Sequence, residues 1–324
     1  MISADYVPTF LIAFAISCAL TPLVKKLAFY FKIVALPDAR KMHKTPMPQG
    51  GGLAVYSAFI LTLLIVFYFG IMERNLLMTR EWTQLFGLFL GGTFILLLGL
   101  VDDKYALPAK IKLFGQIVAA IILIIFGIKI NFLNNPFNGM FYLSVWPSII
   151  LTMFWVVGLT NALNLIDGLD GLLAGITGIA CFVLFIISIQ KGQFLVATLL
   201  IALMGSCCGF LRYNFNPAKI FMGDTGSLFL GYMLAALSIV GALKSTATLA
   251  FAIPILVFAL PIFDTLAAIV RRLLKGKPIF QPDKEHFHHQ LLKLGLNHRE
   301  VVIFMYLLSG FMGLAALALN YVAR

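Results

Sequence analysis

Asn161-Ala162-Leu163-Asn164-Leu165-Ile166-Asp167-Gly168-Leu169-Asp170-Gly171 joins two apolar runs, 145–164 and 171–190. It sets two amides, two carboxylates and two glycines at their junction. Asn161, Asn164 and Asp167 recur every third residue, which makes successive members neighbours on a helix surface. The glycines then end the helix, so Asp170 falls on a turn. A modest reading is a helix end whose Asx side chains cap a turn. A functional reading is stronger, because carboxylates inside apolar sequence are costly in a bilayer, and other acidic clusters fall on the same membrane side.

Outward from this stretch the chain is apolar almost throughout. Hydrophobic residues make up 61% of 324 positions and the mean hydropathy is +0.99, more than a soluble domain needs. Runs long enough to cross ~30 Å of hydrocarbon recur along the chain. About ten spans are read on that criterion, within 7–31, 52–72, 84–101, 113–130, 145–164, 171–190, 193–211, 226–243, 247–272 and 301–322. The expectation is an all-α, polytopic integral membrane protein forming one domain over 1–324. The first span is read as retained, since Asp5 precedes it and Lys25 and Lys26 follow. Pro254 and Pro261 predict a kink in the ninth.

Charge orients the spans. With the N-terminus outside, loops on the cytoplasmic side hold 18 of the 24 Lys and Arg residues. That asymmetry puts both termini on the extracytoplasmic side. It also accounts for the net charge of +11 without nucleic acid as a partner. All five histidines and ten of the thirteen acidic residues fall on the cytoplasmic side. The positive-inside rule does not require either, so a cytoplasmic-face active site is expected. The four cysteines lie in apolar segments and form no metal-type pair. On the other side, turn signals in 131–143 predict a small hairpin.

Each cytoplasmic loop carries candidate chemistry. In the first, Lys44 precedes Pro48-Gln49-Gly50-Gly51-Gly52, which is either a phosphate-cradling turn or a rigid entry to the second span. In the second, Asp102 and Asp103 point about 100° apart on a helix and should have separate tasks, one with a divalent metal and one with an attacking group. Their alternative is a helix end with Asp and Lys paired. In the fourth, Phe221-Met222-Gly223-Asp224-Thr225-Gly226-Ser227 reads either as an N-cap or as a carboxylate able to hold Mg²⁺ beside phosphates. Phe221 is a nucleobase-stacking or core residue. In the fifth, His286, His288, His289 and Lys293 suit a multiply charged phosphate better than zinc, with no cysteine nearby.

Together, Pro-x-Gly-Gly at 48–51, Asp-Asp at 102–103, NxxNxxDGxDG at 161–171, FMGDTGS at 221–227 and HxHH at 286–289 resemble the polyprenyl-phosphate N-acetylhexosamine-1-phosphate transferase family, also called glycosyltransferase family 4. The five motifs occur in order over nearly the whole chain. Phe287 separates His286 from His288, which resembles the branch using UDP-GlcNAc more than the branch using UDP-MurNAc-pentapeptide. The resemblance implies transfer of GlcNAc-1-phosphate from UDP-GlcNAc to undecaprenyl or another polyprenyl phosphate. UMP is released, and cell-envelope polysaccharide synthesis begins.

The resemblance further implies Mg²⁺, replaceable by Mn²⁺, at Asp224. It implicates Asp102, Asp103, His288 and His289 in catalysis. Asn164, Asp167, Asp170, Phe221, Lys44 and His286 are implied at the nucleotide, pyrophosphate or sugar. It also implies a bacterial cytoplasmic membrane and lipid bilayer, with a homodimer as a further expectation. An ion-coupled carrier is the rival class, since broken helices and intramembrane carboxylates suit it too. Carrier sites lie near the midplane between repeats, whereas these acids gather at one face.

Overall fold

The computed structural model describes residues 6–35, 46–69, 79–135, 139–243, 252–276 and 286–322. Helices follow the apolar runs: α1 (Tyr6–Tyr30), α2 (Gly52–Tyr68), α3 (Thr79–Tyr105), α4 (Ala109–Ile125), α5 (Val145–Ile166), α6 (Leu172–Gln190), α7 (Phe194–Asn214) and α8 (Gly223–Leu243). Then come α9 (Ala252–Val257), α10 (Ala259–Leu274), the short α11 (Phe287–Lys293) and α12 (His298–Val322). Seven helices among the described residues are long and apolar enough to cross a membrane: α1, α3, α5, α6, α7, α8 and α12. The chain is an all-α polytopic membrane protein.

The ninth predicted span is not one helix. It breaks at Phe258 into α9 and α10. Pro261 has no N–H to donate to the Val257 carbonyl, and its ring crowds that oxygen. Phe258 accordingly leaves helical geometry, at φ −101° and ψ 17°. The expected hairpin forms as β3 (Phe132–Asn135) against β4 (Gly139–Tyr142), antiparallel, with Phe132 opposite Tyr142. A second small pair, β1 (Val34–Ala35) with β2 (Met47–Pro48), leads into α2.

The bundle is built around α8. Its apolar window is 94% buried, against 28% for α1 and 33% for α12. A helix apolar on every side belongs inside, and α8 packs against α3, α5 and α2. Small residues let these backbones approach, as membrane helices require in the absence of a hydrophobic drive between them. A Cβ on Gly99 would lie 2.4 Å from the Asp224 carbonyl oxygen, and one on Gly52 would lie 2.2 Å from Gly226 Cα. One on Gly231 would lie 2.6 Å from Thr160 Cα. These neighbours are backbone, so no rotamer change relieves the clash. Away from the centre, α1 meets α7 through Ser17, whose hydroxyl donates to the Ser206 carbonyl at 2.7 Å.

Gly99→Ala should therefore destabilise the protein by about 1–3 kcal/mol, the usual cost of overpacking. Gly310→Ala should be neutral or slightly stabilising, because nothing lies within 4 Å of its added methyl. Melting temperatures of the two variants in detergent test the contrast, and equal values would contradict this account of the α3–α8 contact.

Candidate active site

Four helix ends bring the polar residues together. Asp102 and Asp103 close α3, Lys112 begins α4, Asn161 and Asn164 lie in the last turns of α5, and Asp224 lies in the first turn of α8. Lys112 Nζ stands 2.7 Å from Asp102 Oδ2 and 2.8 Å from Asp224 Oδ2. Asn164 Nδ2 donates to Asp224 Oδ1 at 2.9 Å and contacts Ser227 Oγ at 2.8 Å. Asp102 Oδ1 accepts the Leu107 N–H at 2.7 Å, and the residue is only 5% exposed.

The two adjacent aspartates have different partners, as their divergence on a helix requires. Asp103 is committed to α8. Its oxygens accept the Asp224 N–H at 2.8 Å, the Thr225 N–H at 3.0 Å and the Thr225 hydroxyl. It thus satisfies helix-terminal donors that would otherwise lack partners. Gly223 makes room for this: its φ is +73°, and a Cβ there would lie 2.4 Å from Asp103 Oδ2. Because the cap comes from α3, Asp224 keeps its own carboxylate for other partners. Lys104, the nearest lysine in sequence, lies over the Tyr105 ring instead. The Asp–Lys pair is therefore between helices.

The three-residue spacing of the α5 motif points its members to different neighbours. Asn161 exchanges amide hydrogen bonds with Gln116 on α4. Asn164 meets Asp224. Asp167 follows the last residue of α5, and burial pushes its carboxyl well above the usual range, with repulsion from Asp224, Asp103 and Asp170 adding to the shift. Asp170 braces the following loop, accepting from Asn216 Nδ2 at 2.9 Å and the Ala218 N–H at 3.0 Å. Arg299 Nε donates to the Asn216 carbonyl from the other side at 3.0 Å.

The glycine loop is a rigid entry to α2 and not an open phosphate cradle. The Gly51 N–H donates to the Phe221 carbonyl and the Gly52 N–H to the Met222 carbonyl, both at 3.0 Å, while the Phe221 N–H donates to the Pro48 carbonyl at 2.9 Å. The donors expected to face a phosphate at Gly51 and Gly52 are thus used by backbone. They bind this loop to the FMGDTGS segment. Lys44 lies outside the described residues.

The histidine segment docks on the turn after α5. A Cβ on Gly168 would lie 2.5 Å from His288 Nε2. His286 and His288 rings lie parallel with centroids 5.8 Å apart, and His289 lies 4.3 Å from His288. His286 precedes α11, so it does not share that helix's surface with His289 and Lys293. His288 is 1% exposed, and burial lowers its pKa to about 3.

The chain is similar to known proteins. Residues 85–242 match the profile described as Glycosyl transferase family 4. A probable undecaprenyl-phosphate N-acetylglucosaminyl 1-phosphate transferase of Bacillus subtilis is 39% identical, over 97% of this chain and 85% of its own. A decaprenyl-phosphate N-acetylglucosaminephosphotransferase of Mycobacterium tuberculosis is 36% identical over 90% and 77%. A phospho-N-acetylmuramoyl-pentapeptide-transferase of Staphylococcus aureus is 32% identical over 94% and 95%. The chain belongs to glycosyl transferase family 4.

This family 4 protein is an enzyme, a phosphotransferase. Its site was only partly legible from its motifs. Lys112, Gln116, Asn214, Asn216, Asp264 and Arg299 stand outside the motif residues singled out as site candidates. Lys112 was visible only as one basic residue among many, although a lysine four residues before Gln116 on a helix does share its face. Asn214 accepts the Gly171 N–H at 3.0 Å and donates to the Ile220 carbonyl at 2.9 Å, which ties the DGxDG turn to the Asp224 segment.

The donor set fits a hard cation shared with a substrate. Its carboxylates are oxygen donors, and Asp102 and Asp224 meet there at a single lysine. Among the described residues no three His, Cys, Asp or Glu side chains form a ready metal cage. Mg²⁺ characteristically takes one or two carboxylates and completes its shell with phosphates and water.

Lys112→Met should leave Asp102 and Asp224 facing each other without a cation. The expected loss is about 1–3 kcal/mol, discounted from the roughly 3–5 of a fully buried pair because Lys112 is part-exposed. Thermal unfolding in detergent checks it. His288 adds a pH dependence. Its folded pKa lies below the unfolded value, so its stabilising contribution is whole above about pH 6.5 and falls as pH drops toward 3. The wild type should lose more melting temperature than His288→Leu between about pH 7 and pH 5.

Proposed function

We propose that the protein transfers N-acetylglucosamine-1-phosphate from UDP-GlcNAc to a polyprenyl phosphate, undecaprenyl phosphate above all, with Mg²⁺ at Asp224 and at the cytoplasmic face of a bacterial membrane. One observation carries this reading: Lys112, Asp102, Asp224 and Asn164 form one hydrogen-bonded and ion-paired network where four helix ends meet. The names of the Bacillus subtilis and Mycobacterium tuberculosis relatives, both N-acetylglucosamine phosphate transferases, support it over the muramoyl-pentapeptide branch named for the less similar Staphylococcus aureus relative. The charge asymmetry of the loops supports the cytoplasmic face.

The reaction needs several anionic oxygens brought together, so positioning and electrostatic stabilisation dominate. An oxygen of the lipid phosphate attacks the β-phosphorus of UDP-GlcNAc. The bond from that phosphorus to the oxygen bridging the α-phosphate breaks, and UMP leaves with the electron pair. A phosphate monoester is already largely ionised at neutral pH, so no strong base is required. Mg²⁺ would neutralise charge on the donor's phosphates. Lys112 holds Asp102 and Asp224 at a fixed separation and offsets their mutual repulsion. Asn164 holds the orientation of the Asp224 carboxylate. Asp102, held by Lys112, positions the lipid phosphate or helps hold the metal. Asp170 and Phe221, on segments tied together by Asn214 and Asn216, form the uridine side. His286, His288 and His289 serve the pyrophosphate and sugar.

Purified protein incubated with Mg²⁺, undecaprenyl phosphate and radiolabelled UDP-GlcNAc should move label into the lipid phase and release UMP. Transfer from UDP-MurNAc-pentapeptide alone would assign the other branch, and no transfer with vectorial substrate flux in liposomes would assign a carrier. Asp224→Asn should abolish Mg²⁺-dependent turnover, together with any rise in melting temperature on adding Mg²⁺. Full retained activity would sink the metal assignment.

A further inference from the structure

Asp264 lies one turn past the start of α10, just after the proline break, and is 6% exposed. A carboxylate so placed needs partners. Among the described residues it has two, both from the histidine segment 22 residues later. Oδ2 lies 2.8 Å from His286 Nδ1, and Oδ1 accepts the Phe287 N–H at 2.8 Å. His286 is itself 4% exposed.

Chemistry follows from this geometry. A carboxylate accepts, so Nδ1 carries the proton and donates. Nε2 is then the only ring nitrogen left for a ligand. The same carboxylate anchors the start of α11, which has only 7 residues and is too short to hold its own direction. His288 lies parallel to the His286 ring, within 3°, and abuts Gly168 of the turn that carries Asp167. One side chain on α10 therefore sets the tautomer of the first histidine and the placement of the row against the site.

We propose that Asp264 is a positioning residue for the transferase reaction, holding His286 with Nδ1 protonated so that Nε2 meets the substrate. This rests on the reading of His286 as a contact to the donor's pyrophosphate or sugar. Simple capping of α11 would need only the Phe287 N–H bond. The bond to Nδ1 is what a purely structural role would leave unexplained.

The test uses the full-length protein in detergent. Asp264→Asn retains the size of the side chain and an acceptor for the Phe287 N–H, but presents an N–H₂ donor to Nδ1. Long-range ¹H–¹⁵N spectra of the five histidines, with His286 assigned through His286→Gln, should show Nδ1–H in the wild type and a switch to Nε2–H in Asp264→Asn. The variant should lose about 10- to 100-fold in kcat, the range seen when a group orienting a functional imidazole is removed, with a smaller change in KM. His286→Gln should cost a similar factor, and the double variant no more than either alone. Asp264→Glu, which restores the acceptor, should recover part of the rate.

Additive losses in the double variant, or wild-type activity in Asp264→Asn, would overturn the proposal. Should Asp264→Asn fail to fold, an Nε2–H signal for wild-type His286 would overturn it, and Nδ1–H with recovered rate in Asp264→Glu would support it. The spectra need no substrate. A protein that transfers from a donor other than UDP-GlcNAc but shows the tautomer switch therefore keeps this proposal and loses the donor assignment.

Discussion

Lys112 holds Asp102 and Asp224 within 2.8 Å of one ammonium group at the end of an apolar bundle. Paired burial of charge is tolerable only with good geometry and further hydrogen bonds on the remaining lone pairs. Here those come from the Leu107 N–H on Asp102 and from Asn164 on Asp224. The ends of α3, α4, α5 and α8 are thus fixed relative to one another by charge, while the rest of each helix is fixed by apolar packing. A shift of any one helix would strand a carboxylate, so the site and the bundle constrain each other.

Close backbone packing makes this possible. Gly99 and Gly52 bring α3 and α2 against the first turn of α8, and Gly223 lets Asp103 reach three donors there. The helix that carries Asp224 is also the most buried one. Its N-terminal donors are satisfied from α3, so its own acidic residue is left to face Lys112 and Asn164. The glycine loop before α2 supports the same turn from the other side through three backbone hydrogen bonds. The glycines of these motifs therefore serve the placement of Asp224 through packing.

The histidine segment obeys a similar rule with different chemistry. Asp264 buries a carboxylate in α10 and recovers its hydrogen bonds from His286 and Phe287. The proline break that separates α10 from α9 determines where along the bundle that carboxylate sits. The short α11 is thereby placed over the DG turn, next to the end of α5. Motifs more than a hundred residues apart in sequence meet because each is at a helix end, and those ends share one level of the bundle.

Most helices were legible in the chain itself, because crossing hydrocarbon demands long apolar runs and polar residues must collect where those runs stop. That Asp102 and Asp103 face different partners followed from helical spacing, and the hairpin at 132–142 from its turn residues. Partners were not legible. Asp103 caps a helix 121 residues away, Lys112 pairs with a carboxylate 112 residues away, and Gly51 and Gly52 spend their N–H groups on Phe221 and Met222. Local sequence determines where a polar group lies along a helix, since that depends on period and hydropathy. Which groups face one another depends on how the helices pack, and only the tertiary structure decides that.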